Sequence, residues 1–139
     1  RHSSSAASDV YKRQETDFLS VDPYDKLGDL VKVISKSKRN LFPVVSVDGR
    51  LIGIVNLNEV RHIIFNQELY NSTYVHDLMN DAPDFIGENE NMEAVMNKFE
   101  QSGAWNLPVL NSQDQYVGFV SKSKLFSAYR NLLKDFYES

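Results

Sequence analysis

With 139 residues, 42% of them hydrophobic and 12% aromatic, the chain has apolar material for one compact domain or two small halves. That content excludes global disorder, and a formal net charge of −4 without a long basic run excludes a nucleic-acid surface. Cysteine is absent, which removes disulfides, thiolate metal sites and cysteine nucleophiles together.

Residues 1–14 include Ser3-Ser4-Ser5-Ala6-Ala7-Ser8, with neither apolar periodicity nor a signal-peptide core. The string resembles translated linker read-through, so it is set aside as a non-native or disordered tail. The natural protein is expected to continue upstream. No stretch approaches the roughly 20 apolar residues that span a bilayer, so this segment is itself expected to be soluble.

From residue 15 the pattern becomes regular. Asp17 to Val21 reads as a short strand stopped by Asp22-Pro23, and either Asp22 or Asp25 is placed to cap the helix that follows. Leu27, Leu30, Val31 and Ile34 recur at helical spacing. Lys36 to Asn40 is a solvated basic turn. Leu41 to Val47 reads as a strand, with Pro43 expected at its start or on an edge because proline donates nothing to a ladder. Asp48-Gly49 predicts a hairpin into Leu51–Val55. Asn56 to Asn66 predicts a second helix, with Val60, Ile63 and Ile64 as its apolar side. A polar crossover follows, from which Val75, Leu78 and Met79 should dock on the core.

The same order then returns 65 residues later without a gap. Phe42-Pro43-Val44-Val45 becomes Leu107-Pro108-Val109-Leu110, and Leu51-Ile52-Gly53-Ile54-Val55 becomes Tyr116-Val117-Gly118-Phe119-Val120. The helical stripe becomes Met92, Val95, Met96 and Phe99. The second copy should run strand Phe85-Ile86, helix near Asn91 to Ser102, strand 107–110, a turn without glycine, strand 116–120 and helix 122–133. Two copies of so long a unit argue for a duplicated subdomain rather than a solenoid. The expected fold class is α+β, two β-α-β-β-α repeats related by a pseudo-twofold axis. Repeat 1 spans 15–68, a linker 69–82, repeat 2 83–135, and a short tail 136–139. Function in such duplications is expected in the cleft between copies.

The duplicated hydrophobic-Pro-Val strand starts, the Gly-x-x-polar-x-x-polar segments and the linker Val75-His76-Asp77-Leu78-Met79 resemble the CBS-domain family. Its tandem pairs form a Bateman module. The resemblance covers roughly residues 17 to 133. A narrower resemblance joins Gly118 to Arg130 to the closing segment of the cytosolic region of bacterial CLC-type chloride channels or transporters. It implies a non-catalytic regulatory module at the cytoplasmic face of the membrane, joined to a membrane-embedded portion of the same polypeptide, and a homodimer. Two alternatives stay open: an accessory pair of a soluble enzyme or magnesium transporter, since such pairs are portable, and a ligand-free dimerisation scaffold, motivated by the missing acid in the second copy and the substituted hydroxyl in the first.

The resemblance also implies ATP, ADP or AMP as a regulatory ligand, with no cofactor required. Its site would draw on Val21, Phe42, Pro43, Gly53, Asn56 and Glu59 from one copy. From the other it would draw on Ile86, Leu107, Pro108, Gly118, Ser121 and Lys124. The physical logic is readable. A glycine permits close backbone approach, a polar residue opens a helix whose free N–H groups suit phosphate, and an acid three positions later accepts both ribose hydroxyls. The two copies depart from that pattern differently. Asn56 replaces the hydroxyl residue and Glu59 the shorter acid, whereas Ser121 is retained and Lys124 replaces the acid. At most one ordinary nucleotide site is therefore expected, around Glu59. Plainer readings stand beside these: Asn56 and Ser121 as N-caps, Glu59 as complement to the helix dipole, Lys122 and Lys124 as solvated charge. Trp105 suits base stacking but equally core or dimer packing. His62 and His76 lack metal-ligand spacing, and Asp77, Asp81 and Asp84 do not match a calcium loop, so no metal is expected. Neither a Gly-rich phosphate loop nor a nucleophile elbow is present, and no catalytic residue is assigned.

Overall fold

The computed structural model describes residues 10–138. They fall into two units, one of residues 17–82 with 114–116, the other of the described residues up to 16 with 83–113 and 117 onward.

In the first unit, α1 (Leu27–Lys36) buries Leu27 and Leu30, with Val31 and Ile34 packed beside them as their spacing predicts. Its free N–H groups are satisfied differently from expectation. Leu27 and Gly28 donate to the carbonyls of Thr73 and Tyr70, and Asp29 accepts from the Lys26 N–H at 3.0 Å. Asp25 instead closes the preceding turn, accepting from the Asp22 N–H at 3.1 Å. Linker backbone has taken the place of an aspartate cap. The basic turn is not merely solvated either, because Arg39 makes a two-pronged contact with Asp17 at 2.8 and 3.0 Å.

Strands β1 (Leu41–Val45) and β2 (Leu51–Asn56) pair antiparallel, Phe42 opposite Val55 and Pro43 opposite Ile54. Pro43 therefore sits inside its strand rather than at its start, and the edge alternative holds, since the sheet has only two strands. The pairing explains why this is tolerated. Facing Pro43, Ile54 exchanges hydrogen bonds with Asn80 on its far side, at 2.8 and 2.9 Å. On the other side of β1, Val21 makes a single parallel bridge, donating to the Pro43 carbonyl at 2.9 Å and accepting from Val45 at 2.8 Å. The strand expected over 17–21 is reduced to that bridge. The hairpin turns at Gly49, whose φ of +87° is costly for any residue with a Cβ. Beyond β2 the expected eleven-residue helix shrinks to α2 (Leu57–Val60), followed by turns closed by Ile63-to-Val60 and Asn66-to-Ile63 hydrogen bonds. Val75 is fully buried in this unit's core, with Leu78 and Met79 against it, as expected of the linker.

The second unit follows the same plan. Strand β3 (Ile86–Gly87) runs parallel to β4 (Asn106–Leu110), which neighbours β5 (Tyr116–Ser121). Helix α3 (Met92–Ser102) opens on Asn91, whose side chain accepts from the Ala94 N–H at 2.9 Å. Helix α4 (Lys122–Glu138) runs past 133 and through the stretch read as a tail. Asp114 takes φ +62°, the conformation Gly49 holds in the first copy. Val10, within the segment set aside from the fold, is packed into this unit's core.

The two cores correspond residue by residue. Val21, Leu27, Leu30, Phe42, Val44, Val55 and Val60 in the first have Ile86, Met92, Val95, Leu107, Val109, Val120 and Leu125 in the second.

Candidate functional site

Each unit carries its own version of the expected sequence of glycine, helix-opening polar residue and third-position side chain. At the foot of each, the wall-forming residues are committed to the fold. Val21, Phe42, Ile86 and Leu107 are buried core side chains, and Pro43 and Pro108 are buried in their strands. What they leave for a ligand is backbone.

The glycines do permit close approach, but of the chain to itself. A Cβ at Gly53 would lie 2.9 Å from the Asn80 carbonyl oxygen and 2.9 Å from Met79 Sδ. One at Gly118 would lie 2.7 Å from the Glu15 carbonyl oxygen. Asn80 of the linker and Glu15, its counterpart at the head of the first repeat, are bridged to the residue after each glycine: Asn80 to Ile54, and Glu15 to Phe119 with N–H to oxygen distances of 2.6 and 3.0 Å.

Asn56 caps α2, its Oδ1 accepting from the Asn58 N–H at 2.9 Å. Ser121 Oγ lies 3.0 Å from Ser123 Oγ and 3.4 Å from the Lys124 N–H. The capping reading of both is therefore realised in the structure. Glu59, exposed, accepts from Asn80 Nδ2 at 2.8 Å. Lys124 donates to Glu15 Oε1 at 3.0 Å. These two contacts are counterparts: 59 and 124, like 15 and 80, stand 65 residues apart. In one copy the acceptor is on the helix and the donor on the linker, and in the other the roles are exchanged.

Asn80 and Glu15 were not among the sequence-derived site residues. The repeat period contained the signal, since carrying it back from Asn80 lands on Glu15. Contacts across 21 and 109 residues are nevertheless invisible to local patterning.

Trp105 is 73% exposed, so it is not core packing, and the Lys122 ammonium sits 5.2 Å from its ring. Lys122 is thus engaged rather than simply solvated. His76 stacks on Tyr74 at 5.3 Å and lies 3.2 Å from Asp77. Among the described residues, no group of three His, Asp or Glu side chains could hold a metal ion. No helix among them is long and apolar enough to cross a membrane.

Two copies of one α+β unit, each with a segment laid over a glycine and a capped post-hairpin helix, define a tandem duplication. A family model described as CBS domain matches residues 7–66 and 75–131, and the chain belongs to that family. A CBS domain-containing protein of Methanocaldococcus jannaschii is 26% identical over 122 residues, 83% of this chain and 90% of the relative. Inosine-5'-monophosphate dehydrogenase of Bifidobacterium longum is 29% identical over 121 residues, 84% of this chain but 22% of the enzyme. Among solved structures, CBSX2 of Arabidopsis thaliana in complex with AMP superposes with a TM-score of 0.70 at 20% identity, covering 88% of this chain and 96% of the other. The CBS domain of a bacterial CNNM/CorC family Mg2+ transporter in complex with ATP gives 0.72 at 14% identity, covering 90% of each.

Proposed function

We propose that this CBS pair is a non-catalytic regulatory module that responds to an adenine nucleotide (ATP, ADP or AMP) through the Glu59 position. The observation that carries this is local. Glu59 presents an exposed carboxylate at the third position of a helix opened by Asn56, held by a neutral amide that a ribose diol can replace. The nucleotides in CBSX2 and in the Mg2+ transporter support the ligand class. Regulation follows if the nucleotide favours one conformation of the host by differential affinity. Calorimetry and thermal melting with ATP, ADP, AMP and S-adenosylmethionine test this. Binding heat and a raised melting temperature are expected for an adenine nucleotide, both lost in Glu59→Ala. Absence of heat and of any shift at millimolar ligand overturns the reading.

The host we propose is a membrane transport protein, with this module at its cytoplasmic face and paired as a homodimer. The segment Gly118 to Arg130 supports a CLC-type chloride channel or transporter. The similarity to the Mg2+ transporter supports magnesium transport as a second reading. Sequence upstream of Glu15 separates these: chloride-channel or magnesium-transporter spans would name the host, and a catalytic barrel, as in the dehydrogenase relative, would sink both. Measuring mass at several concentrations tests the dimer. A monomer throughout removes it.

A further inference from the structure

We propose that the Glu15–Lys124 ion pair is a specificity device that closes the second repeat to ribose and leaves the chain with one nucleotide position. The inference rests on reading Glu59 as the ribose acceptor. A ribose diol donates two hydroxyl protons and needs a carboxylate to receive them. In the first repeat that carboxylate is obtained at small cost. Its partner Asn80 is neutral and exposed, so water or backbone can take over the released amide.

The second repeat opposes the same exchange twice. Lys124 has no acceptor to offer, and the acid that would serve in its place, Glu15, is already bound to it at 3.0 Å. The Glu15 side chain is only 15% exposed, against 62% for Lys124. Drawing the lysine away would take an ammonium from a mostly covered carboxylate, which costs more than parting two groups in water. Glu15 is also fixed from behind, since its N–H and carbonyl both bond Phe119 and its carbonyl lies over Gly118. The bridge fixes the Glu15 backbone beside Gly118, and the side chain is held through its bond to Lys124. Exchanging donor and acceptor between helix and linker therefore keeps the fold contact while abolishing the sugar contact.

Transplanting the first repeat's pair tests this. AMP is titrated calorimetrically into the wild type, Glu59→Ala, the double variant Glu15→Asn/Lys124→Glu, and the triple variant combining all three. The expected stoichiometries are one AMP per chain, none, two and one. A triple variant that melts as cooperatively as Glu59→Ala but takes no AMP overturns the proposal and leaves the Glu59 reading standing. A wild type that takes two AMP overturns it directly. If the wild type takes none and the double variant takes one, the Glu59 reading fails and the single remaining nucleotide position fails with it, while the closing effect of the ion pair stands. No AMP in any variant overturns both. Should the transplanted pair fail to fold, the shorter pair Glu15→Gln/Lys124→Asp carries the same expectations.

Discussion

Gly53 and Gly118 show how a single missing Cβ can be read two ways. The motif alone points to room for a ligand, but the space is occupied by Asn80 and Glu15 of the chain itself. Gly53→Ala should then destabilise the fold by about 1–3 kcal/mol, since the new methyl meets backbone and a methionine sulfur rather than solvent. Gly118→Ala, with the closer approach, should cost no less; urea denaturation of both variants measures this. The hairpins carry a smaller conformational cost. Gly49→Ala forces a Cβ into positive φ and should lower stability by about 1 kcal/mol, read from the same titration. Tyr116 supplies a pH dependence. Burial, reinforced by the Asp17 carboxylate, pushes its phenol above the ordinary value. Because the folded state holds the proton more tightly, this contribution is complete below about pH 10 and is lost as pH rises beyond it. Melting temperatures from pH 8 to 11 should therefore fall more steeply for wild type than for Tyr116→Phe.

At the scale of elements, equivalent sequence positions have produced unequal helices. The stripe Val60, Ile63, Ile64 has helical spacing, yet α2 stops at Val60 and tight turns carry Ile63 and Ile64 onto the core instead. Its run of β-branched residues ending in Phe65 and Asn66 is a weak helix former. The corresponding stretch of α4, with Leu125, Ala128, Arg130 and Leu132, is a strong one and continues to Glu138. Spacing alone does not separate the two cases; composition does. Capping is likewise uneven. Helix α3 depends on the Asn91 side chain, whereas α1 takes its partners from linker carbonyls. Asn91→Ala should cost about 1 kcal/mol in thermal or chemical denaturation. Asp25→Ala, which loosens a turn rather than a cap, should cost less.

For the whole molecule, the correspondence of cores makes each unit an internal control for the other. Phe42 and Leu107 occupy the same place and are both fully buried. Phe42→Ala should cost about 3–5 kcal/mol and Leu107→Ala about 2–5, the spread reflecting how far each cavity collapses. Against a total stability of about 5–15 kcal/mol, either loss is large enough to be read directly from the denaturation midpoint. The duplication preserves packing while its polar positions diverge. Apolar residues can exchange for others of similar volume, as Val21 with Ile86, whereas the charge exchange between Glu59 and Lys124 changes which side chain each position pairs with.

Hydrophobic periodicity and turn chemistry determined the repeat, its element order, the buried faces of α1 and α3, both hairpins and the docking of Val75. These were legible because they depend on side chains within a few turns of one another, and the 65-residue echo made each reading twice. The same patterns did not reveal that Pro43 lies inside its strand, which depends on the Ile54–Asn80 and Val21 bonds on either side. Nor did they show Glu59 joined to Asn80 and Lys124 to Glu15. Those outcomes required the linker segments to be laid across the sheets, where backbone hydrogen bonds and the absence of a Cβ at Gly53 and Gly118 set the partner. Residue types at positions 59 and 124 were thus determined locally, while their partners were decided by chain segments brought against them only in the folded state.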